Sequence, residues 1–205
     1  MPDVVALTFD DGPDPAGTPD VLAALAAAQA RATFFVLGER AIEHPRSIAA
    51  IRAAGHEVEL HGHRHLRHTE VTRAELAHDT EQALEALRRL GVTPRRWRTP
   101  WGVRAPWTVE VAVAHALELT DWDLDPEDWA GPSAEEMLGG LAPRLARGAI
   151  VLLHDGVGPG ARRSSCIQTA RLVGPLVAEI RARGWEPGPL GALPAAVAIS
   201  TAAAV

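Results

Sequence analysis

Short apolar runs alternate with longer stretches in which apolar residues recur at helical spacing, and the alternation continues to an alanine-rich tail. Val4–Phe9 reads as a buried strand. Thr18 is placed to cap a helix opening at Pro19, a residue suited to a first helical position. Ala32–Leu37 is the next strand, followed by a helix over Pro45–Ala54 that Gly55 stops. Glu57–Leu60 is a short strand. Thr72 and Glu75 have the spacing of a capping box and open a long helix ending at Leu90-Gly91; Ser133 and Glu136 repeat the signature. Arg95–Arg98, Leu117–Asp121 and Ala149–Leu153 are further strand candidates, and Cys166–Arg183 is a last helix before Gly184. Strands alternating with helices predict an α/β protein with a parallel sheet, open or closed into a barrel. In such sheets reactive residues gather at the carboxyl ends of strands.

The chain has 205 residues, which suits a single domain over 1–205 with a substantial core. Hydrophobic content of 47% with 22% charged residues fits a soluble globular protein. A net charge of −6 argues against nucleic acid as a partner. Arg95, Arg96 and Arg98 cluster, but prolines and tryptophans surround them, which suits a loop beside a site. Cys166 is the only cysteine, so neither an internal disulfide nor a thiolate zinc site is expected, and it reads as a buried, inert thiol. The segment Met1–Leu7 carries no charged leader and no long apolar stretch. The expectation is therefore no membrane partner and a cytoplasmic location, or secretion if a leader has been trimmed away.

Candidate chemistry sits where the strands end. Asp10-Asp11-Gly12-Pro13 follows the first strand, His61 and His65 follow the third, and Arg98 and His154 follow later ones. One carboxylate and two imidazoles can hold a divalent metal with positions open to water and substrate, leaving the other carboxylate free as a base. Each feature has a plainer explanation. Asp-Asp-Gly favours turns, the histidine pair could be the polar face of a surface helix, and Arg98 and Asp128 could be a surface charge and a loop acid. Their joint placement at strand ends favours a site. His56 is expected to bond locally, His63 to point away from the ligands across a helical turn, and His68 to approach the site from the second layer or solvent. Among the tryptophans, Trp101 and Trp129 are candidate substrate walls, while Trp107 and Trp185 read as packing.

In these segments the chain resembles the polysaccharide deacetylase family, the NodB-homology domain, over nearly its whole length. Thr8-Phe9-Asp10-Asp11-Gly12, the pair His61 and His65, Arg98-Thr99-Pro100-Trp101-Gly102, Asp128-Trp129 and Leu152-Leu153-His154 match its five motifs in order. The resemblance implies a distorted (β/α) barrel of about seven strands. It implies one divalent metal on Asp11, His61 and His65, zinc by default, with cobalt, nickel or manganese also suited to N/O ligands. Asp10 would take the proton of water, and Arg98 would hold Asp10 ionised and oriented. His154 would be the general acid, near its ordinary pKa of about 6.5, kept protonated and oriented by Asp128. The N–H of Trp101 would help bind the oxyanion, with Trp129 and Leu152 on the substrate side. Two positions depart from the pattern. Gly62 stands where serine or threonine is usual, removing a hydroxyl that fixes the metal loop, and Trp101 stands where tyrosine is frequent.

The implied activity is removal of N-acetyl groups from an amino sugar or polysaccharide by attack of metal-bound water. Relatives acting on small amides, ureides or imides can also carry a His-Gly pair, so a non-sugar C–N bond is the rival substrate. Two histidines and a carboxylate also suit a non-haem iron oxygenase, but those sites usually sit in all-β barrels. A catalytically inert carbohydrate-binding module would have no need of Asp10, Arg98 and His154. Connections between motifs are short, which fits either an open groove or a pocket completed by a partner subunit.

Overall fold

Val4–Asp10 is buried along its whole length, as a central strand of a parallel sheet must be, and forms β1 of the computed structural model, which describes residues 3–193. There follow α1 (Gly17–Ala27), β2 (Thr33–Val36), α2 (Gly38–Glu43), α3 (Pro45–Ala53), β3 (Glu57–Leu60) and α4 (Arg73–Arg89). Then come β4 (Arg96–Trp97), α5 (Thr108–Ala114), β5 (Glu118–Leu119), α6 (Ala134–Leu141), β6 (Ile150–His154), α7 (Ile167–Ala182) and β7 (Glu186–Gly188). Every strand pairing is parallel, in the order β5-β4-β3-β2-β1-β6, with β7 laid along the first half of β1. Between β5 and β6 a single bridge, Leu124 to Val151, stands in for a ladder. The fold is the distorted seven-stranded (β/α) barrel that the motifs implied. Among the described residues, no helix is long and apolar enough to cross a membrane.

Strand alternation divides the interior in two. Val5, Leu7 and Phe9 of β1 face the helices and join the main core, in which Phe9 stacks on Phe34 with ring centroids 5.2 Å apart. Val4 and Ala6 face the barrel axis with Phe35, Ile150 and Leu190. Further along the axis the inward positions turn polar: Thr8 and Asp10, Glu59 and His61, and Arg98 are all buried. This inner column carries the reactive groups to one end of the barrel.

Both capping boxes form as predicted, Thr72 with Glu75 and Ser133 with Glu136. Thr18 does not cap α1. The helix opens two residues earlier, at Gly17, where Asp14 Oδ1 accepts from the amides of Ala16 and Gly17 at 2.8 and 3.0 Å. The Thr18 hydroxyl instead points inward and donates to Asp155 Oδ2. β4 and β5 each keep only two of the residues predicted for them. The segment 61–65 is not helical, so the picture of a histidine pair along a helix face falls. Gly62 at φ +104 turns the chain there instead. The alanine-rich tail lies outside the described residues.

Candidate active site

The two adjacent carboxylates diverge because Asp11 adopts φ 72, a left-handed conformation uncommon outside glycine. Asp10 turns toward β4, where its Oδ1 accepts from Arg98 Nη1 at 2.9 Å. Arg98 is fully buried, donates also to Thr8 Oγ1 at 2.7 Å and to Asp121 O at 3.1 Å, and lies over the Phe35 ring at 4.2 Å. Desolvated in this way, the guanidinium has few alternative partners, and the pair fixes the orientation of Asp10.

Asp11 turns instead to the histidines. Its Oδ1 lies 3.3 Å from His61 Nε2 and 3.1 Å from His65 Nε2, and one ligand atom from each of the three lies within 4.8 Å of the others. His61 Nδ1 pairs with the carbonyl of Arg98 at 2.8 Å, so Nδ1 carries the proton and Nε2 presents a lone pair. Asp11 Oδ1 is buried with no hydrogen-bond donor. Lone pairs converging on one buried point are what a divalent cation satisfies, so these residues fit the metal expected of them. Burial alone would raise the Asp11 carboxyl, but His61 and His65 outweigh it and hold the group well below the ordinary carboxylate range.

His154 ends β6 opposite this cluster. Its Nδ1 lies 2.6 Å from Asp128 Oδ1, and its backbone N–H donates to Asp128 Oδ2 at 3.0 Å. Arg163 Nη1 and Thr169 Oγ1 also donate to Oδ2, at 2.9 and 2.6 Å. Burial would raise Asp128, yet the charges of His154 and Arg163 and these bonds keep it below its ordinary range. Burial would likewise lower His154, yet Asp128, with Asp11 and Asp10 beyond it, pushes it up to about 9. Asp128 thus acts on His154 in the direction expected from the sequence, and moves it well beyond the ordinary value of about 6.5, so that the imidazolium is held through neutral pH. Its Nε2 is left for the cavity.

That cavity, of about 300 Å³, is lined by Asp10, Asp11, His61, His65 and His154, with Trp101, Trp122, Trp129 and Leu152 around them. Trp101 is 39% exposed and sits at φ 55 with its ring against His65. Trp129 borders the cavity under Arg162, 5.2 Å from its centroid. Every site residue named from the sequence thus meets in one place. His56, His63 and His68 stay out. His56 accepts from the Ala32 amide, and His63 packs against Gly38 from the turned loop rather than from a helix. His68 pairs with Thr108 in the core, where burial and then the neighbouring charges push it down to about 4. Trp107 and Trp185 pack against the core. Cys166 is buried, and desolvation lifts its thiol to about 12, as expected of an inert side chain. Sequence reasoning missed Arg163, Thr169 and Asp125, which lie outside the matched motifs, and left Trp122, beside a motif, out of the substrate walls; the folded chain brings all four to the site.

A curled parallel barrel with a carboxylate and two histidines at its strand ends defines a class of cation-binding hydrolase scaffolds. The family model described as polysaccharide deacetylase matches residues 1–120. The chain is 38% identical over 199 residues to a chitooligosaccharide deacetylase of Bradyrhizobium sp. (strain ANU 289), covering 91% of this chain and 88% of that one. It is 32% identical over 185 residues to a peptidoglycan-N-acetylglucosamine deacetylase of Bacillus cereus, covering 89% and 84%. Among solved structures, a family 4 carbohydrate esterase from Streptomyces lividans in complex with acetate superposes with a TM-score of 0.81 at 28% identity, covering 91% and 92%. The chain belongs to the polysaccharide deacetylase family.

Proposed function

We propose that the protein is a metal-dependent carbohydrate N-deacetylase that releases acetate from an N-acetylated amino sugar or its oligomer. The observation that carries this reading is one cavity holding a three-residue cation site between a buried carboxylate and a half-buried imidazolium. The names of the relatives, chitooligosaccharide and peptidoglycan deacetylases, supply the substrate class.

Amide hydrolysis needs an activated water, stabilisation of the oxyanion and a proton for the departing nitrogen. A divalent cation held by Asp11, His61 and His65 would supply Lewis acidity, lowering the pKa of water and polarising the acetyl carbonyl. Asp10 takes the proton of the attacking water. Arg98 keeps the Asp10 carboxylate aimed at the cavity, since its own bonds to Thr8 and Asp121 leave it no freedom to turn. His154 then gives its Nε2 proton to the amine nitrogen as the C–N bond breaks, while Asp128 holds the imidazolium by Nδ1. The Trp101 N–H assists the oxyanion. Trp101, Trp129 and Leu152 give the sugar ring apolar surfaces to lie against. Zinc suits the ligand set best, and cobalt, nickel and manganese are compatible with it.

The test is acetate release by apoprotein reloaded with zinc, cobalt, nickel or manganese in turn. The substrates are chitooligosaccharides and peptidoglycan fragments, set against cyclic ureides and imides. Acetate from the sugars, with no ring opening of the ureides and imides as followed by chromatography, is the expected result. Turnover of ureides or imides in place of sugars would move the assignment to a non-sugar C–N bond.

A further inference from the structure

We propose that Asp79 of α4 is the positioning residue of the 61–65 loop, setting cation affinity through His65 in the place of the hydroxyl absent at Gly62. The inference rests on the cation site assigned above. At φ +104 and without a side chain, Gly62 can fix nothing itself. The backbone around it is nevertheless held from two sides. The carbonyls of Gly62 and His63 accept from the amides of Gly38 and Glu39, at 2.9 and 3.2 Å, where α2 begins. On the other side the amides of His63 and Arg64 donate to Asp79 Oδ2 and Oδ1, at 2.8 and 3.2 Å, and Arg64 Nε reaches Oδ1 at 3.1 Å.

Asp79 is 2% exposed, on a helix face whose other buried residues include Leu76, Ala83 and Leu87. A carboxylate in that setting loses hydration, and the bonds it accepts from two backbone amides and a guanidinium are of the strong, charge-assisted kind. The segment it grips lies between the two histidine ligands. Those ligands are not equally secured. His61 is fixed at Nδ1 by the Arg98 carbonyl, whereas His65 Nδ1 is buried with no partner. A ligating imidazole usually takes its orientation from a bond at its other nitrogen. His65 lacks that bond, so its place depends on the loop backbone and on the Trp101 edge, 4.1 Å away between centroids.

The experiment titrates zinc into chelator-stripped protein by calorimetry, for wild type, Asp79→Ala, Asp79→Asn, His65→Ala and each Asp79 variant combined with His65→Ala. Outer residues of this kind change metal affinity by about 10–100-fold. Asp79→Ala is expected to weaken zinc binding in that range, and Asp79→Asn, which keeps one carbonyl acceptor, by less. Turnover at saturating zinc should recover to within a few-fold of wild type. In the His65→Ala background either Asp79 change should cost under about threefold, because residues acting through one another are not additive. Equal losses in both backgrounds, or zinc affinity unchanged in Asp79→Asn, would overturn the proposal; the asparagine variant carries the test if the alanine variant does not fold. A wild type that binds no zinc, or binds it equally well after His61→Ala, would instead refute the cation site itself.

Discussion

Replacing Asp128 by asparagine tests the acid assignment with a calculable outcome. Oδ2 of Asp128 accepts three donors, from the His154 backbone, Arg163 and Thr169. An asparagine can satisfy them only by placing its carbonyl oxygen there, which turns its NH₂ toward His154 Nδ1. That amide then opposes a proton on Nδ1, so the neutral imidazole is favoured and burial lowers the pKa further. The value should fall from about 9 to the ordinary 6.5 or below, worth about 3.4 kcal/mol at ~1.36 kcal/mol per pH unit. Turnover should then show little loss at pH below both values and a loss on the order of 300-fold above both, following the protonated fraction. A cation near Asp11 lowers both values together and leaves the difference. The assay is kcat from amine release at saturating oligosaccharide, between about pH 5.5 and 9.5. An alkaline limb that coincides with the wild-type limb would refute the coupling of Asp128 to His154.

Asp10→Asn should cut turnover by about 10²–10⁴-fold while elemental analysis still finds metal; loss of metal along with activity would make Asp10 a ligand. Chelation should inactivate the enzyme, and added divalent metal should restore wild type but not His61→Ala at the same concentration; an active metal-free protein would refute the mechanism. His68, pushed down to about 4 in the fold, stays neutral where the unfolded chain takes up a proton, so its stabilising contribution is complete above about pH 6.5 and is lost as pH falls toward 4. Urea denaturation at pH 7.5 and 4.5 should therefore show His68→Gln losing about 2.5 kcal/mol less than wild type between the two, and identical losses would contradict the burial argument.

Much of this was legible because local chemistry and tertiary role coincide. The run Val4–Leu7 is apolar throughout because it is covered on both faces, and Thr72 and Ser133 declare helix starts through bonds made within one turn. The groups gathered in the cavity could be named because reactive side chains in a parallel barrel follow strands. What stayed hidden depends on distant partners. α2 is six residues long and packs on α4, while β7 contains a proline and a glycine and exists by pairing with β1. Thr18 looked like a cap because nothing nearby in sequence reveals Asp155. The partner of His154, Asp128, could be named from the sequence, but the size of the shift could not, because Asp11 and Asp10 add to it across the barrel.

β1 lies in the middle of the sheet although the ribosome makes it first. The Thr8 hydroxyl bonds the carbonyl of Val151, 143 residues further along the chain. At about 5–20 residues per second, synthesis needs roughly 7–30 s to deliver that partner. During this interval β2 can cover one edge of β1 over Thr8–Asp10, while the edge awaiting β6 and the stretch Val4–Ala6 awaiting β7 stay open, a template for pairing with other chains. Nascent chains stalled before Ile150 should accordingly be protease-sensitive and bound by holdase chaperones, and a protease-resistant stalled chain would contradict this. The same order of synthesis completes the cavity late: Asp10 and Asp11 emerge with β1 and His154 with β6, so the site cannot be assembled before β6 docks.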